Sequence, residues 1–267
     1  MGKLRYLGKK LHWCWQNGVG RWRIQSEIDR TKPITDLTRY ERRIRSQNGE
    51  DGILEAIFTA IGTTDRFFAE LGSSHGLRCN CAYLARRLGW NGLMIDGRQP
   101  REFVERRRRR GTPDLVRCEF ISAENVEAVF EKHSVPREFD LLSIDIDGND
   151  YWVWKSITSY RPRVVVIEYN ATIPPDESRV IAYDPGFVWD RTTYVGASLL
   201  ALKRLGESKG YTLVGCNSSG VNAFFVESAL AARHFAPADT VALYRPSARA
   251  ASRGCLPDNP NREWVRV

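Results

Sequence analysis

Six polar residues fall where short apolar runs end: Glu70 after RFFA, Asp96 after GLMI, Asp145 and Asp147 after FDLLSI, and Glu168 and Asn170 after PRVVVI. A carboxylate at the end of a buried strand can accept hydrogen bonds from ribose hydroxyls, hold a hard divalent cation or take a proton from a substrate. Glu70 is followed by two glycines, Gly72 and Gly76, with Ser73, Ser74 and His75 between them. A Gly-rich turn that opens a helix lets backbone approach a ligand and offers it free N–H groups. Glycine turns also occur as plain connections, and a strand end meeting water tolerates acids. The recurrence over four runs is what points to a site.

Elements must hold those residues together. The run 67–70 reads as a buried strand, CAYLARRLG as a helix closing at Gly89, and GLMIDG as a second strand ending in Asp96. REFVERRRRR reads as a helix, LVRCEFI as a strand, AENVEAVFEKH as a helix, and FDLLSI and PRVVVIEYN as two more strands, with YWVWKSI between them. Strands and helices alternating at this length predict a parallel sheet covered on both faces. GYTLVGC and NAFFV, joined by the turn-rich NSSGV, predict a closing antiparallel hairpin. Upstream, Ser46 could cap a helix whose apolar residues Ile53, Leu54, Ile57, Phe58 and Ile61 keep helical spacing and which Gly62 ends. Glu50 and Asp51 at its start suit the helix dipole and could also face a ligand.

Asp96 follows Gly72 by 24 residues, the place of the ribose-binding acid in dinucleotide folds. The turn lacks a full GxGxxG, and a pyrophosphate would gain nothing from Glu70. A carboxylate there could instead receive an ammonium. The pair points to S-adenosylmethionine rather than NAD. Asp145, Asp147 and Asp150, with Glu168 and Asn170, could bind Mg²⁺, which would lower the pKa of a substrate hydroxyl. They could work without metal, one acid acting as general base, or Asp147 could simply cap the turn through Gly148 and Asn149. Asp145-Ile146-Asp147 also reads as the DxD of a metal-dependent glycosyltransferase.

The whole chain bounds these readings. Its 267 residues, 42% hydrophobic with 8 Trp, 10 Tyr and 11 Phe, suit one α/β domain with extensions. No apolar run reaches the ~18–20 residues that cross a bilayer, and no secretory signal is recognisable. Six scattered cysteines, with only Cys79 and Cys81 as a CxC pair, make no zinc pattern and suit a reducing, cytoplasmic setting. The net charge of +8 lies entirely in residues 1–45, which carry twelve Lys or Arg against four acids. Three segments follow: a basic, Trp-rich one (1–45), the sheet domain (46–228) and a C-terminal extension (229–267). Residues 1–30 mix bases with Tyr6, Trp13, Trp15 and Trp22; they suit a solvated helix packed on the domain or a peripheral contact with a membrane surface or polyanion. Arg106 to Arg110 make no strong nucleic-acid signal, because Glu102 and Glu105 offset them.

SQNGEDGIL (46–54), FAELGSSHGLRCN (68–80), GWNGLMIDG (89–97), ISAENV (121–126), DLLSIDIDGNDYWVW (140–154), PRVVVIEYN (162–170) and the hairpin to Val226 together resemble the FkbM-type class I methyltransferases. The resemblance spans residues 44–228. It implies a Rossmann-like doubly wound sheet of about seven strands, mostly parallel with an antiparallel last strand. It implies methyl transfer from S-adenosylmethionine, commonly to a hydroxyl of a sugar, glycan or other small metabolite. Carried over by position, Glu70, Gly72 and Ser73 line the methionine side of the cofactor, Asp96 the ribose and Asp145 the region below the sulfonium, and Gly76 is a further cofactor-binding candidate. Asp145 and Glu168 are then the catalytic candidates, and Asp145, Glu168 and Asn170 a loose match to a metal set. Tyr183, Trp189 and Tyr194, after the fifth strand, are candidates for the acceptor wall, where aromatic and acidic groups suit a sugar. The rival from another class is a non-catalytic binding protein anchored through its basic N-terminus.

Overall fold

The computed structural model describes residues 28–29, 31–74, 76–97, 115–247 and 262–267. The basic stretch 1–27, His75 and the arginine run 106–110 lie outside the described residues, and with them most of the N-terminal expectation.

The periodicities of the sequence become a seven-stranded sheet. Its strands are β1 (Phe67–Leu71), β2 (Asn91–Ile95), β3 (Val116–Arg117), β4 (Glu138–Ile144), β5 (Arg161–Glu168), β7 (Tyr211–Cys216) and β8 (Asn222–Glu227). The order is β3-β2-β1-β4-β5-β8-β7. Strands β1 to β5 pair in parallel, whereas β8 runs antiparallel to both β5 and β7. The last strand of the sheet in chain order is therefore the reversed one, and the hairpin inserts it one place in from the edge. LVRCEFI yields a strand of only two residues.

Alternation along each strand splits the core in two. Leu71, Ile95, Leu142, Val165 and Phe225 face one layer, with α3 (Val126–Lys132), α4 (Asp150–Ser156) and α5 (Leu199–Ser208). Phe68, Met94, Leu141, Val166 and Phe224 face the other, with α1 (Glu50–Ile61) and α2 (Ala82–Arg87). The fold is a doubly wound α/β sheet. The chain leaves β1 towards β2 and β3 on one side and continues from β4 to β5 on the other. The switch point lies between β1 and β4, where open sheets form a crevice at the strands' carboxyl ends.

Buried acids fasten the flanking segments. Helix α1 starts later than Ser46, at Glu50 behind Gly49, because Asp51 Oδ2 accepts the backbone N–H groups of Ile44, Arg45 and Ser46 and bends that stretch into a loop. Glu50, with no exposed surface, accepts from Asn48 N and from the side-chain amides of Asn217 and Asn222. Asp51 therefore fastens the helix start to the 44–46 loop and Glu50 fastens it to the β7–β8 hairpin, so both carboxylates are engaged within the fold. Asp140 does the same at the sheet's amino end, holding Thr64, Arg66 and Arg163.

Two segments beyond the hairpin also fold onto the domain. Phe235, after α6 (Ser228–His234), bridges to Ile34, and both side chains are buried in the α1–α2 layer. A short α7 (Thr240–Leu243) follows. Strand β9 (Trp264–Arg266) pairs with β6 (Arg179–Ile181), a strand within the insertion after β5. Among the described residues no helix is long and apolar enough to cross a membrane.

Candidate functional site

Four strand ends converge at the switch point. Gly72 N and Ser73 N both donate to Ile95 O, which ties the glycine turn to the end of β2. Asp145 N donates to Leu71 O, which ties it to the end of β4. Asp96 lies across the turn, its Oδ2 accepting the backbone N–H of Ser74 at 2.7 Å. Ser74 (φ +49°) and Asp147 (φ +58°) both take left-handed backbone conformations, one on each facing loop. Such strain costs about 1–3 kcal/mol and collects at functional sites. The Ser73 hydroxyl is fully buried and has no hydrogen-bond partner among the described residues, another irregularity concentrated in this turn.

Glu70 has a different role from the one its sequence position suggested. Only 2% exposed, it accepts from Asn80 N at 2.7 Å and Cys81 N at 3.1 Å. Both oxygens hold the start of α2, so the acid builds the turn rather than presenting an open carboxylate to an ammonium group. Burial raises its pKa, while the Cys79 thiol and the two backbone donors pull it back. The buried thiols of Cys79 and Cys81 are in turn pushed well up, by burial first and then by the Glu70 charge, which keeps them protonated.

The second cluster gathers charge. Asp145, Asp147 and Glu168 each offer an oxygen, all within 4.8 Å of one another. Asp150 sits just behind them and shapes the loop, its two oxygens accepting from Ile146 N and Gly148 N, each at 2.9 Å. Burial, followed by the negative charges of Asp150, Asp147, Glu70 and Glu50, holds the Asp145 carboxyl well above the usual range. Burial likewise lifts Asp150, to about 6 against the pull of its backbone donors. Collected in a partly enclosed crevice, these acids favour a cationic ligand.

Asn170 does not join this set. Its side-chain amide donates to Thr193 O and Val195 O, and its carbonyl accepts from Thr172, so it fastens the insertion after β5. Asp147 takes its place beside Asp145 and Glu168. Three hard oxygen donors of this kind suit Mg²⁺, whereas Asn170 does not fit such a set.

The aromatic candidates of the insertion are committed to the fold. Tyr194, 4% exposed, accepts from Ala182 N and donates to Glu263 O, at the centre of a small cluster with Ile181 and Phe187. Trp189 packs against that cluster and donates to Thr192 O. Tyr183 donates to Glu124 and accepts from Ala123 N. Phe187 carries the wall to the acidic loop, its ring occupying the space a side chain at Gly148 would fill. Phe120, overlooked in the sequence, is 54% exposed beside Gly97, next to Asp96. The signal was a bulky apolar residue just past a strand end.

No family model and no curated protein matches the chain. Solved structures that are loosely similar to the chain include three methyltransferases. One, assigned as a sarcosine dimethylglycine methyltransferase from Galdieria sulphuraria, has 16% identity over 61% of this chain and 62% of its own, with a TM-score of 0.41. Another is the 1,6-didemethyltoxoflavin-N1-methyltransferase of Burkholderia thailandensis, solved with S-adenosylhomocysteine, at 13% identity over 65% of this chain and 74% of its own, TM-score 0.40. The mitomycin 7-O-methyltransferase MmcR has 15% identity over 80% of this chain and 62% of its own, TM-score 0.38. The chain thus spans less than two thirds of the first and third. Likeness at this level carries no assignment of function, which has to come from the site.

Proposed function

We propose that this chain is an S-adenosylmethionine-dependent methyltransferase that methylates a hydroxyl on a sugar, glycan or other small metabolite. The observation that carries the reading is the junction at the switch point. A glycine turn rests on Asp145 and is bonded to Asp96, with a concentration of negative charge directly beyond. The residues fit a cationic nucleoside. Asp96 stands at the end of β2, where a ribose would find its acceptor, and Phe120 offers an apolar face beside it on which a base can stack. Asp145 would supply negative charge to the sulfonium side of the cofactor. When bound, the cofactor supplies an electrophilic methyl group.

The chain's own work is orientation and proton removal. Glu168 or Asp145 takes the proton from the acceptor hydroxyl, and the lifted pKa of Asp145 brings it towards the range of an effective general base. The loop through Phe187 screens the approach from water, and much of the rate comes from holding the hydroxyl in line. Mg²⁺ on Asp145, Asp147 and Glu168 is the finer form of this reading, since a cation there would lower the hydroxyl's pKa.

Calorimetric titration with S-adenosylmethionine is the test. Saturable binding that weakens in Asp96→Ala supports the reading, and no heat at millimolar ligand overturns it. The oxygen triad also favours a second reading, a DxD glycosyltransferase. That enzyme would bind a nucleotide-sugar with Mn²⁺ and would leave the glycine turn and Asp96 without a task.

A further inference from the structure

The insertion after β5 has a small core of its own. Ile181, Phe187 and Tyr194 form a cluster of three buried side chains, separate from the two layers on the sheet. A satellite cluster of this size cannot fix its members by burial alone. The segment 262–267 completes it. Strand β9 pairs with β6 in the register Arg179–Arg266, Val180–Val265 and Ile181–Trp264. The Trp264 ring meets that of Tyr194 at a centroid distance of 4.9 Å, and the Arg179 guanidinium lies 4.9 Å from the Trp264 centroid. Arg262 closes the cluster. Its guanidinium stands 5.6 Å from the Phe187 centroid and 5.2 Å from that of Tyr194, and an ion pair of 3.6 Å to Asp190 directs it there. A cation over two ring faces attracts both.

Phe187 in turn meets the acidic loop. A Cβ built on Gly148 would lie 2.3 Å from its Cδ1 atom, so the ring rests on the loop's backbone. Close by in sequence, Asp184 O accepts both the Asn149 side-chain amide at 2.7 Å and the backbone N–H of Phe187 at 2.9 Å. The loop needs such support. Asp147 holds φ +58°, and a residue with a side chain keeps that conformation only where its surroundings over-determine it. Asp150 ties the loop from within, through Ile146 N and Gly148 N. Phe187 and Asp184 hold it from the insertion.

We infer that Arg262 is a positioning residue for the crevice. By seating Phe187 against Gly148, it keeps the loop in the strained geometry that brings an Asp147 oxygen within 4.8 Å of those of Asp145 and Glu168. A segment more than a hundred residues away in sequence thereby sets the spacing of the acidic cluster. The value of that spacing for methyl transfer rests on the function proposed above, whereas the coupling of Arg262 to the loop does not.

Amide hydrogen exchange of the full chain, followed by NMR without added ligand, tests the coupling apart from any question of cofactor binding. The amides to follow are those of Ile146 and Gly148. Arg262→Gln removes the cation and leaves the β6–β9 pairing in place. It should speed exchange at both amides about two- to fivefold, the scale of one cation–π contact at a partly exposed site. Its melting midpoint should match the parent's, because the Arg262 side chain is largely exposed. In a Phe187→Leu background the same change should add nothing, since the ring through which Arg262 acts is gone. Ser178→Ala, which loses a contact with Val267 O at the other end of β9, should leave both amides at parental rates. Unchanged rates at Ile146 and Gly148 in Arg262→Gln overturn the inference. So does acceleration confined to the insertion, which would make Arg262 a prop of that segment alone. Equal acceleration in Ser178→Ala, an undiminished effect in the Phe187→Leu background, or a loss of global stability that speeds every amide alike overturns it too.

Discussion

A Cβ built on Gly72 would lie 1.5 Å from the carbonyl oxygen of Asp145, so the turn after β1 and the end of β4 are in direct backbone contact. The contact falls where strand order reverses, and it places the glycine turn and the acidic loop on either side of one crevice. Gly72 also has φ +86°, in the left-handed region that side chains rarely occupy.

Gly72→Ala therefore combines a forced backbone shift with conformational strain. It should destabilise the chain by about 2–4 kcal/mol in urea denaturation. It should also abolish nucleoside binding in calorimetry under conditions where the variant is still folded. A variant that binds S-adenosylmethionine as the parent does would separate this contact from the ligand site.

Asp145 and Asp150 give stability a defined pH dependence. Their folded pKa values are raised above the ordinary 3.8 by burial, that of Asp150 to about 6. Their contribution is thus fully present below the ordinary value and is lost as pH rises through the folded one. Asp145→Asn removes one of these charges. Its melting midpoint should exceed the parent's at alkaline pH by about 2–4 °C, the shift made by ~1 kcal/mol in a domain of this size. The advantage should vanish in acid, and methyl transfer should be lost. For the same reason, binding of a cationic ligand to the parent should take up fewer protons than it releases, and its affinity should rise with pH through this range.

Asp96→Ala removes the acceptor of Ser74 N and the proposed ribose contact together. Affinity for S-adenosylmethionine should fall at least about tenfold, the worth of one charge-assisted hydrogen bond. The fold should be little affected, because Asp96 is partly exposed.

The oxygen triad and Asn170 separate in a metal titration. If Mg²⁺ binds, Asp147→Asn and Glu168→Gln should each weaken it, and Asn170→Ala should not. Asn170→Ala should instead destabilise by about 1–3 kcal/mol, since it frees Thr193 O and Val195 O inside the insertion. Equal loss of Mg²⁺ affinity in all three variants would return Asn170 to the metal set.

Glu50→Ala should act chiefly on the fold. It strips the partner from Asn48 N and from the amides of Asn217 and Asn222, and each unsatisfied group costs about 1–3 kcal/mol. Chemical denaturation should show the loss, and the effect on the site in the folded fraction should be confined to a lower Asp145 pKa, because one of the charges that raise it is gone.

Much of this was legible from residue order. Hydrophobic runs of the right length fixed five strands and their parallel sense, the spaced runs around NSSGV foretold the reversed strand, and Gly62 and Gly89 marked helix ends because the left-handed backbone there favours glycine. That Asp96, Asp145 and Glu168 lie at one edge of the sheet followed once the strands were parallel, since parallel strands put their carboxyl ends on one side of the sheet. Local pattern could not tell which oxygens face the crevice. Glu70 and Asn170 share polar character and strand-end position with Asp96 and Glu168. The former pair is bound to backbone groups of segments that approach only in the folded chain, Asn80 and Cys81 in one case and Thr193 and Val195 in the other. Tyr194 was likewise indistinguishable from a substrate-facing ring until Ala182 and Glu263 enclosed it. Residue order by itself determined the layers, the strand directions and the edge of the sheet at which chemistry can occur, because periodicity and turn residues act locally. Tertiary structure decided which acid builds the crevice and which one faces it, because a carboxylate's role depends on the donors that distant segments bring to it.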